Sequence, residues 1–360
     1  MSGVLLIPAF PPYDIYPLAW IALIPLLAAL WKKNIKASFA LGFLTGFIYF
    51  LGTVYWVFNS MYYHGSVPAV MSGLMLALLC GYLALYVGAF SVFFNIISED
   101  TRIPSLVLVP VVWVSLELFR TYALSGFPWS VLGYSQYKLL PLIQIADMTG
   151  IYGVSFIVAA LNGAMFDVAV WWPKKSREMP LLPRWPLIAC LLVCLVVLAG
   201  VVLYGHAKLK EEESGKKIRV ALVQGNIEQD KKWDVRFQKD VIDTYKRLSS
   251  DAAKDSPDLI VWPETALPFV LGHNKALSDE ITLFQKGLDS HLLTGSVVAK
   301  SGGQYANSAV LLSPGGAVMS VYDKMHLVPY GEYVPFRQFM PFIEKLVVAV
   351  GDFVPGKETV

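Results

Sequence analysis

Two stretches of the sequence put ionisable residues where buried strands end. The first, DLIVWPETALPF at 258–269, has after Asp258 four apolar residues, Leu259 to Trp262, suited to a sheet covered on both faces. Pro263 then ends the ladder, so Glu264 stands at the mouth of the strand with Pro268 close behind. The second, YDKMHLVPYGEYVPF at 322–336, has Lys324 closing a strand whose Val318, Ser320 and Tyr322 share its parity. His326 and Glu332 follow in a Pro-Gly-rich turn. Taken singly, Glu264 reads either as a solvated turn residue or as a carboxylate that the rigid turn aims into a cleft, and Lys324 as a surface residue. Converging on one point, they can act as general base and as cationic stabiliser of an oxyanion. What the pair lacks is a nucleophile. Cys80, Cys190 and Cys194 all lie inside apolar segments, where they read as small packing residues and form neither a disulfide framework nor a metal cluster.

The elements that must position this pair alternate in type. IRVALVQGNI (218–227) reads as a strand ending in a Gly-Asn turn, and residues 233–253 have helical spacing through Phe237, Val241, Tyr245 and Leu248. After the strand into Glu264 come a helix near 276–289 and a strand at 291–298. Two more strands, 305–313 and 317–324, are joined by the hairpin turn PGG. Strand, helix, strand, helix, strand, hairpin is an α/β layer pattern. Asn307, inside the first hairpin strand, reads as a residue that holds the sheet edge or neighbouring backbone rather than taking part in chemistry, and His326 as structural.

The rest of the chain is of another kind. Of 360 residues 56% are hydrophobic and 16% charged, with a mean hydropathy of +0.54. Soluble domains have about 25% charged residues, so the composition is that of a membrane protein. A net charge of +2 without a basic, aromatic-interleaved stripe excludes a nucleic-acid partner. The apolar bias belongs to residues 1–206. A charged linker follows at 207–217 (AKLKEEESGKK), and 218–360 is the water-soluble part. Apolar segments at 15–31, 38–58, 67–97, 103–123, 143–172 and 185–205 can each cross a hydrocarbon core. The third is long for one crossing, and MSGVLLIPAF before the first reads as the end of a helix.

Two polar features of 1–206 go beyond spanning. Glu117 and Arg120 share a helix face inside VVWVSLELFRTY, as a structural pair or as groups facing a wet cavity. The aromatic loop SGFPWSVLGYSQY (125–137) suits interfacial anchoring or the wall of a lipid-tail path.

The order VQGN, WPET, YxKxHLVPxGEYVPF resembles the carbon-nitrogen hydrolase (nitrilase) superfamily, with its Glu-Lys-Cys triad. The resemblance is closer to its membrane branch, the bacterial apolipoprotein N-acyltransferases, through PPYD (11–14), GFPW with LGYSQ (126–136) and QGNIEQDKKW (224–233). It covers essentially the whole chain. It implies a polytopic α-helical membrane bundle followed by an extracytoplasmic α/β nitrilase-like domain, an αββα sandwich incomplete at its C-terminus. It implies Glu264 as general base, Lys324 as the oxyanion-stabilising lysine, Glu332 as a second essential glutamate, and Trp233 near the lipid-binding cleft. The implied reaction takes a fatty acyl chain from a phospholipid donor to the diacylglyceryl-cysteine amine of an apolipoprotein, through a cysteine thioester. It needs no metal or organic cofactor, and takes place at the bacterial inner membrane with the nitrilase-like domain periplasmic. A membrane-anchored amidase or nitrilase is the alternative enzyme.

One departure stands out. The family's cysteine lies downstream of the lysine stretch, and this chain has no cysteine beyond residue 194. The expectation is a chain truncated at both ends and inactive by itself, with a catalytically dead remnant as the non-enzymatic alternative.

Orientation follows from Lys and Arg. Alternate short loops carry Lys32, Lys33, Lys36, Arg102, Lys174, Lys175, Arg177 and Arg184, against only Arg120 and Lys138 in the opposite set. The first set is expected in the cytoplasm and the soluble part outside it. Alkaline phosphatase fused after Gly215 should therefore be active in cells and inactive after Lys175; the reverse pattern would refute this topology.

Overall fold

The structure, a computed structural model, describes residues 1–65, 67–101, 103–171, 184–211, 214–329, 331–333 and 353–358. Outside them lie Arg102, Lys174, Lys175 and Arg177 of the charge asymmetry, and Tyr330 and 334–336 of the lysine motif; the side chains of Arg184 and Cys190 are likewise not described. The chain forms two compact units, Met1–Glu213 and Ser214–Val360.

The first unit is helical: α1 (Ser2–Leu6), α2 (Ile24–Leu30), α3 (Ile35–Thr53), α4 (Trp56–Asn59), α5 (Ala69–Asp100), α6 (Ser105–Tyr122), α7 (Leu140–Ile143), α8 (Ala146–Trp171, broken at Gly150) and α9 (Arg184–Lys208). Among the described residues five helices are long and apolar enough to cross a membrane, within α3, α5, α6, α8 and α9. The long segment expected at 67–97 is one helix of 32 residues.

The segment 15–31 departs from expectation. It is no continuous helix but a 3-10 stretch, Tyr16–Trp20, followed by α2. Pro17 and Pro25 explain the break, since neither can donate to a preceding turn. A broken segment in an apolar bundle needs other partners for its backbone. Asn162 of α8 supplies them: its Oδ1 accepts from Leu23 N at 2.9 Å and its Nδ2 donates to Ala19 O at 2.9 Å. Ser2 Oγ accepts from Leu26 N at 2.8 Å, so the opening residues are packed into the core with Leu6 and Ala9.

Glu117 has a similar task. Its Oε1 accepts from Trp113 Nε1 and from Leu132 N, both at 2.8 Å, so a buried carboxylate holds the loop after α6. Arg120 lies 4.9 Å from the centre of the Phe50 ring and donates to Ser130 O at 3.4 Å. The 125–137 loop is therefore only partly exposed. Trp129, Tyr134 and Tyr137 are exposed, but Leu132, Ser135 and Gln136 are buried, with Gln136 Oε1 accepting from Trp20 Nε1. The motif PPYD meets this loop where Asp14 accepts from Lys138 Nζ at 2.7 Å and from Tyr137 Oη at 3.0 Å.

The second unit is built on one mixed sheet. Its strands are β1 (Val220–Leu222), β2 (Leu259–Val261), β3 (Val270–Leu271), β4 (His291–Ala299), β5 (Tyr305–Leu312) and β6 (Val318–Asp323). The order is β1-β2-β4-β5-β6; β1, β2 and β4 are parallel, β4 to β6 antiparallel, and β3 pairs with the far end of β4. The strand expected at 218–227 is thus only three residues long. Among the described residues three helices accompany the sheet: α10 (Gln229–Lys232), α11 (Gln238–Ala253) and α12 (Lys275–Lys286). The helical spacing at 233–253 becomes a full helix only from Gln238, because Asp234 accepts from Arg236 N and turns the chain first. Val241, Tyr245 and Ile281 of the helices pack with Ile260, Leu292 and Val310 of the sheet.

Trp262 anchors the end of β2 in this core. Its ring lies 5.1 Å from that of Tyr245, and its buried Nε1 donates to Ser249 Oγ at 2.8 Å. Ser249→Ala would strand that donor. The expected cost is about 1–3 kcal/mol of stability, read as a lower denaturant midpoint with unchanged slope.

Candidate active site

The site grows out of a turn that β4 clamps from both sides. Trp262 N donates to Leu293 O at 2.8 Å as the last ladder bond; then Gly295 N donates to Pro263 O at 3.2 Å and Leu267 N to Gly295 O at 3.1 Å. Thr265, with φ at +48°, completes the tight turn. Glu264 is thereby held beyond the sheet with 63% of its side chain accessible.

Lys324 reaches the same point from the other side of the sheet. It follows β6, and its N–H donates to Asn307 O at 2.8 Å, which extends the β5–β6 pairing by one residue. Its Nζ lies 3.0 Å from Glu264 Oε1 and 3.1 Å from each oxygen of Glu332. Glu332 is the buried partner: its side chain is 11% accessible, and Oε2 accepts from Val328 N at 2.7 Å. The 353–356 strip ties these pieces together. Phe353 N donates to Glu332 O, Val354 N to Tyr305 O and Gly356 N to Lys324 O.

The electrostatics follow from this sharing. Burial alone would raise the Glu264 carboxyl, but the hydrogen bonds from Lys324 and Asn307 and the charges of Lys324 and Lys232 hold it below the usual glutamate value. Burial alone would lower the Lys324 ammonium; its bonds and charge contacts with Glu264 and Glu332 hold it above the usual lysine value. At neutral pH the geometry is an ionised carboxylate beside a protonated amine. Such a pair can accept a proton on one side and stabilise a nascent oxyanion on the other.

Glu264, Lys324 and Glu332, singled out in the sequence, thus meet. His326 is exposed and takes no part in these contacts. Trp233 caps α10 and is 39% exposed. Its neighbour Lys232, which sequence reasoning passed over, donates to the backbone carbonyl of Glu264 at 3.1 Å. Burial pulls its amine below the usual lysine value, partly offset by the Glu264 charge.

The reading of Asn307 is corrected. It sits in mid-strand facing the site, and its Nδ2 donates to Glu264 Oε1 and Glu332 Oε1, both at 2.6 Å. The available signal was an amide in a largely apolar strand.

Residues 2–164 match the apolipoprotein N-acyltransferase N-terminal domain family, and residues 219–352 match the carbon-nitrogen hydrolase family. A protein named apolipoprotein N-acyltransferase from Geobacter metallireducens is 41% identical over 362 residues, covering 99% of this chain and 68% of that protein. One of the same name from Pasteurella multocida is 29% identical, covering 94% of this chain and 64% of that protein. The chain thus spans about two thirds of the length of these relatives. Among solved structures, the NitN amidase of Neterenkonia sp. is 19% identical with a TM-score of 0.28, covering 39% of this chain and 51% of that one.

Gly295 is the point where the clamp allows no side chain. A methyl group there would meet Thr265 N and lie 2.6 Å from Pro263 O and 2.7 Å from the Glu264 carbonyl carbon, all of them backbone atoms. Gly295→Ala should push the Glu264 turn off β4. The expected outcome is a loss of stability of about 1–3 kcal/mol and a crystal structure in which the Glu264–Lys324 contact is broken.

Proposed function

Since the chain belongs to the apolipoprotein N-acyltransferase family, we propose that it provides the acid–base and oxyanion groups for moving a fatty acyl chain from a phospholipid to the amine of a diacylglyceryl apolipoprotein. The observation that carries this reading is the Lys324 ammonium held between Glu264 and Glu332, with Glu264 both ionised and accessible.

In the first step Glu264 takes the proton of a cysteine thiol, and the thiolate attacks the ester carbonyl of the phospholipid. The developing oxyanion is stabilised by Lys324 Nζ, which Glu332 holds from behind. The intermediate collapses to a thioester, and the lysophospholipid leaves with the proton from Glu264. In the second step the apolipoprotein amine attacks the thioester, Glu264 accepts its proton, and the thiolate is released. No cysteine lies within residues 214–360, so the roles proposed here are those of the groups that serve the thiol. Trp233, exposed beside Lys232, would line the lipid cleft.

Five membrane-capable helices among the described residues support a bilayer location for the first unit. The Lys/Arg asymmetry supports an inner-membrane protein whose second unit faces the periplasm, the side on which lipoproteins are processed.

The test uses a chimera completed with the segments of the Geobacter metallireducens relative that the match leaves uncovered. Glu264→Gln keeps the shape and removes the base; Lys324→Met removes the cation. Both should abolish the hydroxylamine-sensitive acyl-enzyme formed from labelled phospholipid, with Lys324→Met costing roughly 2.7–4 kcal/mol of barrier, the usual worth of one oxyanion donor. Acylation at the parent rate in either variant would overturn that role.

A further inference from the structure

The amide of Asn307 meets both carboxylates of the site, and its orientation is dictated by chemistry. Turned the other way, its carbonyl oxygen would face Glu264 Oε1 and Glu332 Oε1, acceptor against acceptor. With nitrogen inward, its two hydrogens serve one oxygen each, at 2.6 Å. The residue is 4% exposed, and its own carbonyl receives Lys324 N at 2.8 Å. The side chain is therefore set by the same backbone bond that sets the lysine.

The two oxygens of Glu264 are not equivalent as a result. Oε1 accepts from both Lys324 Nζ at 3.0 Å and Asn307 Nδ2 at 2.6 Å, whereas Oε2 accepts no hydrogen bond among the described residues. A carboxylate tied through one oxygen cannot rotate freely, and its remaining lone pairs point away from the tie. We infer that Asn307 is the positioning residue of the general base: it fixes Glu264 through Oε1 and leaves Oε2 as the oxygen that accepts the nucleophile's proton. In the step proposed above, the S–H bond breaks, an O–H bond forms at Oε2, and the electron pair stays on sulfur.

A second consequence is electrostatic. Glu264 faces Lys324 beyond β6 and Lys232 at the end of α10, and it shares Lys324 and Asn307 with Glu332. Two carboxylates compete for one directly bonded ammonium, and like charges this close oppose double ionisation. Asn307 adds a donor to each without adding charge. A third carboxylate at position 307 would leave the cluster short of donors and raise the proton affinity of Glu264.

The inference rests on the proposed role of Glu264, but the test separates the two. Residues 1–360, labelled with carboxyl-13C glutamate and held in lipid nanodiscs, are titrated by infrared difference spectroscopy, with Glu264 assigned from its loss in Glu264→Gln. Both Asn307→Leu and the nearly isosteric Asn307→Asp should move the Glu264 midpoint upward, because each removes a donor to the ionised form. In the chimera, the acidic limb of the acylation rate should move up by the same amount.

An unmoved midpoint in both variants, or a rate lowered equally at every pH with the limb in place, would overturn the positioning role. Loss of the fold in both variants would also overturn it and make Asn307 a structural residue. A moved midpoint together with full acylation by Glu264→Gln would leave Asn307's hold on Glu264 intact and refute the catalytic reading of that glutamate.

Discussion

One ammonium group organises the second unit. Lys324 Nζ sits among Glu264 Oε1 and both oxygens of Glu332 at 3.0–3.1 Å. A partly buried cation is tolerable only when paired, and a carboxylate drawn out of water only when bonded. Each of the three groups therefore fixes the other two. The backbone repeats this logic: Glu264 is set by the clamp at Gly295, Lys324 by its bond to Asn307 O, and Glu332 by Val328 and Phe353. Charge and ladder converge on the same atoms.

This arrangement also divides labour between the two glutamates. Glu332 is nearly enclosed and spends both oxygens on Lys324, Asn307 and Val328 N. Glu264 is far more accessible and is tied through Oε1. The buried carboxylate holds the cation through both oxygens, while the accessible one is bonded through Oε1 and its Oε2 accepts no hydrogen bond among the described residues. Two like residues thus differ in exposure and in hydrogen bonding, the kind of difference by which environment can assign two carboxylates different tasks.

The first unit is governed by a different constraint, the absence of water for its backbone. Where Pro17 and Pro25 interrupt the segment before α3, the freed groups at Ala19 and Leu23 are met by Asn162. Where the chain leaves α6 for an irregular loop, Glu117 meets Leu132 N. Polar side chains in this bundle replace the hydrogen bonds that a regular helix would have supplied. The intramembrane Glu117, which the sequence marks as costly, has its explanation in that replacement.

Composition and period determined much from sequence alone. An apolar first part and a charged second part were legible because burial in lipid and burial in a small α/β core demand different compositions. The strand end at Glu264 was legible because Pro263 punctuates it, and that at Lys324 because the hairpin turn fixes where its strand begins and a Pro-Gly-rich turn follows it. Their convergence was not, since residues 60 apart in the chain meet only once β2, β4, β5 and β6 take their order in the sheet. Asn307 was misread for the same reason: period 2 says that it points to one face, but not that two carboxylates wait there. The break in 15–31 was likewise invisible to hydropathy, which measures how apolar a segment is and not whether its backbone has partners. Sequence determines which residues can do the chemistry; only the tertiary structure decides which atoms are left free to do it, because that depends on hydrogen bonds made across the sheet.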